Sequence, residues 1–340
     1  MALDLAIYGY DTDIGKLVIE TLEELKIDIG KLYPLSPLEG EFDAVALNGR
    51  NYMIEPVSSF DFSKAQVAMF LCPPDESKRL CGIATEAGCI VIDNSRRFSG
   101  DDKVPLVLPE LNPYAVKDAL ERKVVIPPAS VSAELALSLS VLHDEFGVAR
   151  AQVTALESVS EHGRAGTETL ARETTLLLNG MALEDNDFPA QLAFNIHTRI
   201  GDLSESGYST HEEVVLHEVK RLLGDFERGF DFTSIQVPVF YGHTAVIHVE
   251  LEEDAPVGAV EDAFNACKWI KVADKDELLT PVTHGINETK LLITRLHADP
   301  SSRRAFDFIV LMDNARRGEA YSCVQIANLL GKELNLIGND

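Results

Sequence analysis

The chain has 340 residues, of which 55 are acidic and 30 basic, so its formal net charge is −25. This excess argues against nucleic acid or a membrane as a main partner, because both attract clustered Lys and Arg. The length suggests about two domains, and no apolar stretch reaches the roughly 18 residues of a membrane span. Five cysteines without a Cys-x-x-Cys pair favour a reducing cytoplasm over a disulfide scaffold or zinc site.

The first third of the chain alternates short apolar strands with amphipathic helices. Strands that are apolar throughout and alternate with helices indicate a parallel sheet covered on both faces. The predicted elements are strand 3–9, helix 13–25, strand 65–72, helix 76–88, strand 89–93 and strand 124–126.

After a serine-rich helix at about 132–143, the pattern changes to longer strands in which apolar and polar residues alternate. Alternation indicates that one face of each strand is packed, which is typical of an antiparallel-rich sheet in an α+β domain. Residues 181–210 show little periodicity and are interpreted as a long functional or interface excursion. A final helix is predicted at about 315–334. The strands are predicted at 151–160, 234–241, 245–252, 290–297 and 305–313.

The loop after the first strand has the position of a dinucleotide-binding turn. Dinucleotide folds use glycines there so that the backbone can turn tightly and approach a pyrophosphate. Thr12 replaces the middle glycine, and two carboxylates flank it, which makes a poor anion cradle. The loop is either a nucleotide site or a turn kept for helix packing and capping. Its candidate cofactor residues are Gly9, Asp11, Thr12, Asp13, Ile14 and Gly15.

Seven segments, taken in order, resemble the aspartate-semialdehyde dehydrogenase family over nearly the whole chain. No single segment is decisive, but their common order predicts the family's fold. The segments are the glycine loop at 9–15, AGCIVIDNS (87–95), VPLVLPELNP (104–113), the turn into a helix at 126–135, the segment from LAFNIHTRIGDL to LHEVKRLLG (192–224), VPVFYGH (237–243) and DNARRGEAYSCVQIANLL (313–330).

The resemblance implies an α/β protein with a Rossmann-like NAD(P)-binding domain and a second α+β domain for catalysis and dimerisation. The expected boundaries are 1–127 with 314–340 for the first domain, and 128–313 for the second. It also implies NADP or NAD as cofactor and a homodimer formed through the second domain.

The family's chemistry uses a cysteine thiolate at a helix N-terminus, which is both nucleophilic and a good leaving group. In this chain that position falls on Ser130, within Pro127-Pro128-Ala129-Ser130. Ser130 is therefore either a weak nucleophile or a helix N-cap. The family's acid/base histidine is retained as His243.

The positions that hold anionic substrates in the family have lost their basic residues. Gln236 replaces an arginine that clamps the substrate carboxylate, and Glu157 replaces a substrate-binding glutamine. The phosphate-binding arginine falls on Ser99, although Arg97 and Arg96 are near enough in sequence to substitute. We therefore expect any ligand of this pocket to be a neutral or cationic small molecule.

The cofactor side departs from the family in the same direction. The turn that holds the adenosine phosphate is replaced by LYPLSPLEG (32–40), which has no basic residue. Cys72-Pro73-Pro74-Asp75 stands in a later loop, where two prolines remove two backbone donors. Only Asn314 and Gln325 keep polar side chains where the family contacts nicotinamide.

Three other groups of polar side chains have either a functional or an ordinary structural interpretation. Ser130, His243 and Glu157 could form a catalytic dyad with an orienting carboxylate, although no Gly-x-Ser-x-Gly turn is present. His211 and His217 do not share a helix face, so no metal site is predicted. Arg316 and Arg317 are more simply a solvated pair than a phosphate clamp.

Two hypotheses follow for a cytoplasmic dimer. The first is a catalytically impaired or repurposed homologue, similar to the divergent Usg-type paralogues of the family that lack the catalytic cysteine. The second is an active NAD(P)-dependent oxidoreductase on a different aldehyde or acyl substrate. The thiol nucleophile is absent from the expected position, so the sequence leaves open whether the protein is an enzyme.

Overall fold

A computed structural model describes residues 2–39, 43–183, 185, 188–226 and 228–338. The chain forms two compact units, one of residues 1–129 with 319–340 and the other of residues 130–318. In the described part of the chain, no helix combines the length and apolar character needed to cross a membrane.

The strands are, in chain order, β1 (Leu3–Tyr8), β2 (Ile29–Ser36), β3 (Ala44–Leu47), β4 (Arg50–Met53), β5 (Glu55–Pro56), β6 (Val67–Phe70), β7 (Ile90–Asp93), β8 (Val124–Val125), β9 (Val148–Glu157), β10 (Phe230–Gln236), β11 (His243–Leu251), β12 (Ile270–Val272), β13 (Leu291–Ala298) and β14 (Ala305–Met312). The α-helices are α1 (Asp13–Glu24), α2 (Pro74–Glu86), α3 (Asp118–Arg122), α4 (Ser130–Phe146), α5 (Gly163–Leu178), α6 (Thr210–Leu223), α7 (Val257–Ala266) and α8 (Tyr321–Glu333). Short 3₁₀ turns include Val159–His162, and Asn314–Ala320 is π-helical.

The first unit is built on a parallel sheet in the order β5-β2-β1-β6-β7-β8. The strands β1, β6 and β7 are buried almost throughout, which agrees with their continuous apolar sequences. Helices α1 and α8 pack on the same apolar core through residues such as Val18, Leu22 and Ile326. The predicted Rossmann-like parallel sheet is therefore confirmed.

The second unit is built on a mixed sheet in the order β10-β9-β11-β14-β13-β12. Its three central pairings are antiparallel, whereas β10 and β12 each join an edge in parallel. Alternate residues of β11 are buried, which explains the period of two in the sequence. These are His243, Ala245, Ile247, Val249 and Leu251. Helix α4 packs against β9, β11 and β14 and is buried along most of its length.

Several elements differ from the sequence-based expectations, and three of the differences have a clear physical reason. Strand β2 was not predicted, because Gly30 and Pro34 interrupt its apolar pattern. The strand expected at 234–241 ends at Gln236, where Pro238 cannot continue a ladder of backbone hydrogen bonds. The final helix, expected from residue 315, is α-helical only from Tyr321, because a π-helical segment precedes it.

Candidate functional site

Ser130, which the sequence predicts at the family's cysteine position, is the first residue of α4 and is fully buried. Its hydroxyl donates a hydrogen bond to Glu161 Oε2 at 3.0 Å. Glu161 lies in the 3₁₀ turn that follows β9. The hydroxyl therefore has a carboxylate as its partner.

Glu157 ends β9 and is completely buried, with its carboxylate fixed by two neighbouring elements. His211 Nε2, on α6, donates to its two oxygens at 2.9 and 3.0 Å. The hydroxyl of Ser234, on β10, donates to Oε1 at 2.7 Å. Burial alone would raise the pKa of Glu157, but the charge and hydrogen bond of His211, together with the hydroxyl of Ser234, outweigh it and lower the pKa to about 2. Glu157 is therefore a carboxylate.

His243 begins β11 and is also completely buried. Neither ring nitrogen makes a hydrogen bond with any residue that the structure describes, and Nε2 lies 3.7 Å from Glu161 Oε2. Burial lowers the pKa of His243 even though Glu157 and Glu161 act to raise it, which favours the neutral imidazole. The suggested dyad is not formed, because the Ser130 hydroxyl is bonded to Glu161 and not to His243.

A third carboxyl group is buried in the same unit. Glu134 lies one turn into α4, and neither of its oxygens has a hydrogen-bond partner. Burial, together with the nearby charge of Glu157, raises its pKa well above the usual range. Glu134 is consequently held towards its protonated form.

Gln236, the other predicted pocket residue, ends β10 and is almost fully buried. Its backbone pairs with His197 through two hydrogen bonds of 3.0 Å. Gln236 lines a cavity of about 950 Å³ together with His162, Arg199 and neighbouring residues of the 188–202 segment. The unperiodic stretch noted in the sequence therefore supplies most of a small-molecule-sized cavity.

Asn314, predicted to contact a cofactor, uses both ends of its amide within the second unit. Its Oδ1 accepts from the backbone N–H of Gly242 at 2.9 Å, and its Nδ2 donates to Ser160 Oγ at 2.9 Å. Arg317 is only 1% exposed, so the interpretation of Arg316 and Arg317 as a solvated pair is wrong for Arg317. The π-helical turn directs it inward, which the α-helical pattern expected from the sequence did not indicate.

In the first unit, the loop from Gly9 to Gly15 is arranged for packing. A Cβ at Gly9 would overlap the carbonyl oxygen of Leu71, and one at Gly15 would overlap that of Gly9. Thr12 is the N-cap of α1: its Oγ1 donates to Gly9 O at 2.7 Å and accepts from Gly15 N at 3.0 Å.

This loop fits a cofactor pyrophosphate poorly. Thr12 occupies a backbone N–H that a phosphate would otherwise use, and the carboxylates of Asp11 and Asp13 stand beside it. Ile14 lies on α1 and packs against the core. Loss of donors and addition of negative charge both disfavour an anion here.

The remaining predicted residues of the first unit are placed as follows. Arg97 is exposed, with its guanidinium 4.7 Å from the ring centre of Phe98. Arg96 lies 3.5 Å from Glu319. Gln325, on α8, donates to the hydroxyl of Tyr321 at 3.1 Å.

Comparison with known proteins identifies both parts of the chain. The family model "Semialdehyde dehydrogenase, NAD binding domain" matches residues 5–119, and "Semialdehyde dehydrogenase, dimerisation domain" matches residues 139–317. The aspartate-semialdehyde dehydrogenase of Shewanella violacea is 33% identical over 328 residues, which cover 96% of this chain and 97% of that protein. The chain belongs to the aspartate-semialdehyde dehydrogenase family.

Two further relatives bear on the resemblance seen in the sequence. A crystal structure of aspartate-semialdehyde dehydrogenase II from Vibrio cholerae, complexed with ASA, superposes with a TM-score of 0.93 at 31% identity, covering 98% of this chain and 99% of that one. The USG-1 protein homolog of Azotobacter vinelandii is 29% identical over 332 residues, covering 98% of each chain. The family and its Usg-type branch are therefore both among the proteins this chain resembles.

Three residues of this family member's buried site were not given a role from the sequence. His211 was examined only with His217, although its partner is Glu157, 54 positions away. The sequence assigned no role to Glu161 or to Glu134. A carboxylate in a stretch, from Ser130 to Leu142, that has no other charged residue is the one signal that could have singled out Glu134.

Proposed function

We propose that this chain is a family member with a degenerate catalytic site, impaired in or redirected from thiol-dependent dehydrogenation. The observation that carries the proposal is the hydrogen bond from Ser130 to Glu161, which leaves His243 unbonded to the hydroxyl. A hydroxyl needs a strong adjacent base to attack a carbonyl group, and a carboxylate is a weaker base than imidazole. Cys267 is the only cysteine between residues 130 and 318, and it follows directly after α7. Burial raises the pKa of its thiol.

The charge of the site supports a change of ligand. Glu161 holds the Ser130 hydroxyl, and the ionised Glu157 lies close to Glu161, so an acidic substrate would be repelled here. This repulsion is due to the carboxyl groups and not to the cavity, because the cavity that the uncharged Gln236 lines also has Arg199 in its wall. We therefore propose a neutral or cationic small molecule as the ligand of this unit.

The assay that tests the proposal is NADP- and phosphate-dependent oxidation of aspartate semialdehyde. The Shewanella violacea enzyme serves as the positive control under the same conditions. We expect no turnover above background for this chain, and turnover comparable to that of the control would overturn the proposal. Ser130→Cys tests the same point from the other side: if loss of the thiol is the main defect, it restores measurable activity.

Cofactor binding is proposed to be weak. NADP or NAD is the family's cofactor, and one relative, from Candida albicans, carries NADP in its crystal structure at 18% identity and a TM-score of 0.73. Against this, Thr12 caps the helix that a phosphate would approach. Calorimetric titration with each nucleotide measures the affinity directly, and we expect no saturable binding below millimolar concentration.

A second candidate is an active oxidoreductase on another aldehyde or acyl substrate. It is favoured by His243, whose buried ring nitrogens make no hydrogen bond and so could exchange a proton with a bound substrate. Submicromolar binding of NAD or NADP in the same titration would favour this candidate over the first. Absence of binding would eliminate it.

Assembly as a homodimer is proposed because residues 139–317 match the dimerisation-domain model. Light scattering coupled to size exclusion gives the mass of the particle, which we expect to be twice 37.3 kDa. A cytoplasmic location is proposed as well, since all five cysteines are free.

A further inference from the structure

Three ligand-type side chains converge inside the second unit. Glu157, Glu161 and His243 each offer one ligand atom, and these atoms all lie within 4.8 Å of one another. They come from the end of β9, the 3₁₀ turn that follows it, and the start of β11. Pairing of β9 with β11 therefore brings His243 close to two carboxyl groups that are far from it in the sequence.

Of these three side chains, His243 has the greatest need of a bonding partner. It is completely buried, and neither of its ring nitrogens makes a hydrogen bond with any described residue. Leaving a buried polar group unsatisfied costs roughly 1–3 kcal/mol. The Nε2 atom is directed at the carboxylate of Glu161, 3.7 Å away.

That separation is close to the spacing of two ligands on one metal ion. Zn²⁺ in tetrahedral sites has ligands at about 2.0–2.1 Å, which puts neighbouring ligand atoms about 3.4 Å apart. A shift of a few tenths of an ångström would bring His243 and Glu161 to this spacing. A direct hydrogen bond would require a closer approach.

Both carboxylates are already oriented by other side chains. Glu157 accepts hydrogen bonds from His211 and Ser234, and Glu161 accepts one from Ser130. Metal-binding carboxylates are commonly fixed by such outer hydrogen bonds, which hold the oxygens in place before the ion arrives. The three ligands thus have a supporting set of donors.

We propose that Glu157, Glu161 and His243 form a binding site for a divalent transition-metal ion, with Zn²⁺ as the best match. One imidazole and two carboxylates suit zinc, whereas Mg²⁺ prefers oxygen ligands alone. Three protein ligands leave a fourth position for water or a small ligand. The site goes beyond the proposed function and does not depend on it, because binding of the ion needs neither substrate nor nicotinamide cofactor.

A second group of possible ligands provides a natural control. His248, Asp299 and Asp307 also lie within the same spacing, but they are partly exposed. His248 Nδ1 is already hydrogen-bonded to Asp307 at 2.9 Å. This surface group therefore lacks the buried, unpartnered imidazole that distinguishes His243.

The test is calorimetric titration of chelator-treated, full-length protein with ZnCl₂, combined with visible spectroscopy after addition of CoCl₂. We expect one saturable zinc site per chain and Co²⁺ absorption bands typical of a four-coordinate ion. His243→Gln and Glu161→Gln should each weaken zinc binding by at least about 100-fold, whereas His248→Gln should leave it unchanged. Circular dichroism confirms that each variant is folded.

Several results would overturn the proposal. These are no saturable heat with ZnCl₂, equal affinity for Mg²⁺ and Zn²⁺, unchanged affinity in both folded variants of the buried group, or loss of binding in His248→Gln. Because the titration contains no substrate or nucleotide, its failure is separate from the outcome of the dehydrogenase assay.

Discussion

The glycine loop of the first unit and the polar cluster of the second differ in what explains their residues. In the loop, Gly9 and Gly15 are required by contact with backbone atoms, and Thr12 satisfies a helix end. In the cluster, the buried Glu157 and the partly buried Glu161 lie close to His243, and the packing of the fold does not require their charge. The loop can be explained by folding alone, whereas the cluster cannot.

Residues that are explained by packing can be distinguished from residues that need another explanation. The atoms around a residue that is kept for packing leave no room for a larger side chain, as is the case at Gly15. A buried charged group costs free energy unless partners compensate it, so its presence needs another explanation. Glu157 has such partners, whereas the oxygens of Glu134 make no hydrogen bond.

The largest expected effect is on the loop, from Gly15→Ala. The new Cβ would overlap the carbonyl oxygen of Gly9 and lie 2.6 Å from the carbonyl carbon of Tyr10, so the backbone must move. We expect a loss of about 3 kcal/mol in the free energy of unfolding, measured by urea denaturation.

The matched control is Gly82→Ala on the exposed face of α2, where a Cβ meets no atom within 4 Å. It should stabilise the protein by about 0.5–1 kcal/mol, because alanine is the better helix former. Equal effects of the two substitutions would show that packing does not explain the loop.

A second prediction concerns the acid stability that Glu157 provides. Its pKa is lowered from 4.5 to about 2 on folding, so its contribution is complete above pH 4.5 and is lost between pH 4.5 and 2. Glu157→Gln should remove on the order of 3 kcal/mol of this pH-dependent stability. Urea denaturation of both proteins at a series of pH values from about 7 down to about 3 measures the difference.

The exposed Glu213 is a suitable control, because its pKa is also lowered, by hydrogen bonds from Ser204 and Ser206. Glu213→Gln should change the free energy of unfolding at acidic pH much less, since solvent screens an exposed carboxylate. If both variants lose the same pH dependence, burial of Glu157 is not the cause.

The smallest expected effect is a gain from Glu134→Leu. Because the pKa of Glu134 is raised in the folded protein, unfolding above pH 4.5 releases a proton from this side chain. Glu134 therefore lowers the free energy of unfolding more as the pH rises. Replacing it with leucine should stabilise the protein by about 1–2 kcal/mol at neutral pH. The thermal midpoint at acidic and neutral pH measures this, and a gain of the same size at both would contradict the assignment.

The sequence predicted the fold class well because it depends on repeated local patterns. Apolar strands alternating with helices gave the parallel sheet, and the period-two strands gave the second, antiparallel-rich sheet. Strand β2 was missed, because Gly30 and Pro34 break the local pattern and pairing with β1 supplies the missing information. Arg317 was misjudged, because a π-helical turn changes which side chains face inward.

Contiguous segments of the sequence were enough to predict the family, the order of the two kinds of sheet and a serine at position 130 in place of the family's cysteine. The hydrogen bonds between distant residues became visible only in the tertiary structure. Glu157 is bonded to His211, and Ser130 is bonded to Glu161. His243 makes no hydrogen bond with any described residue. The physical reason is that hydrogen bonds and burial act over a few ångströms in space. Strand pairing brings residues within that range from positions far apart in the chain.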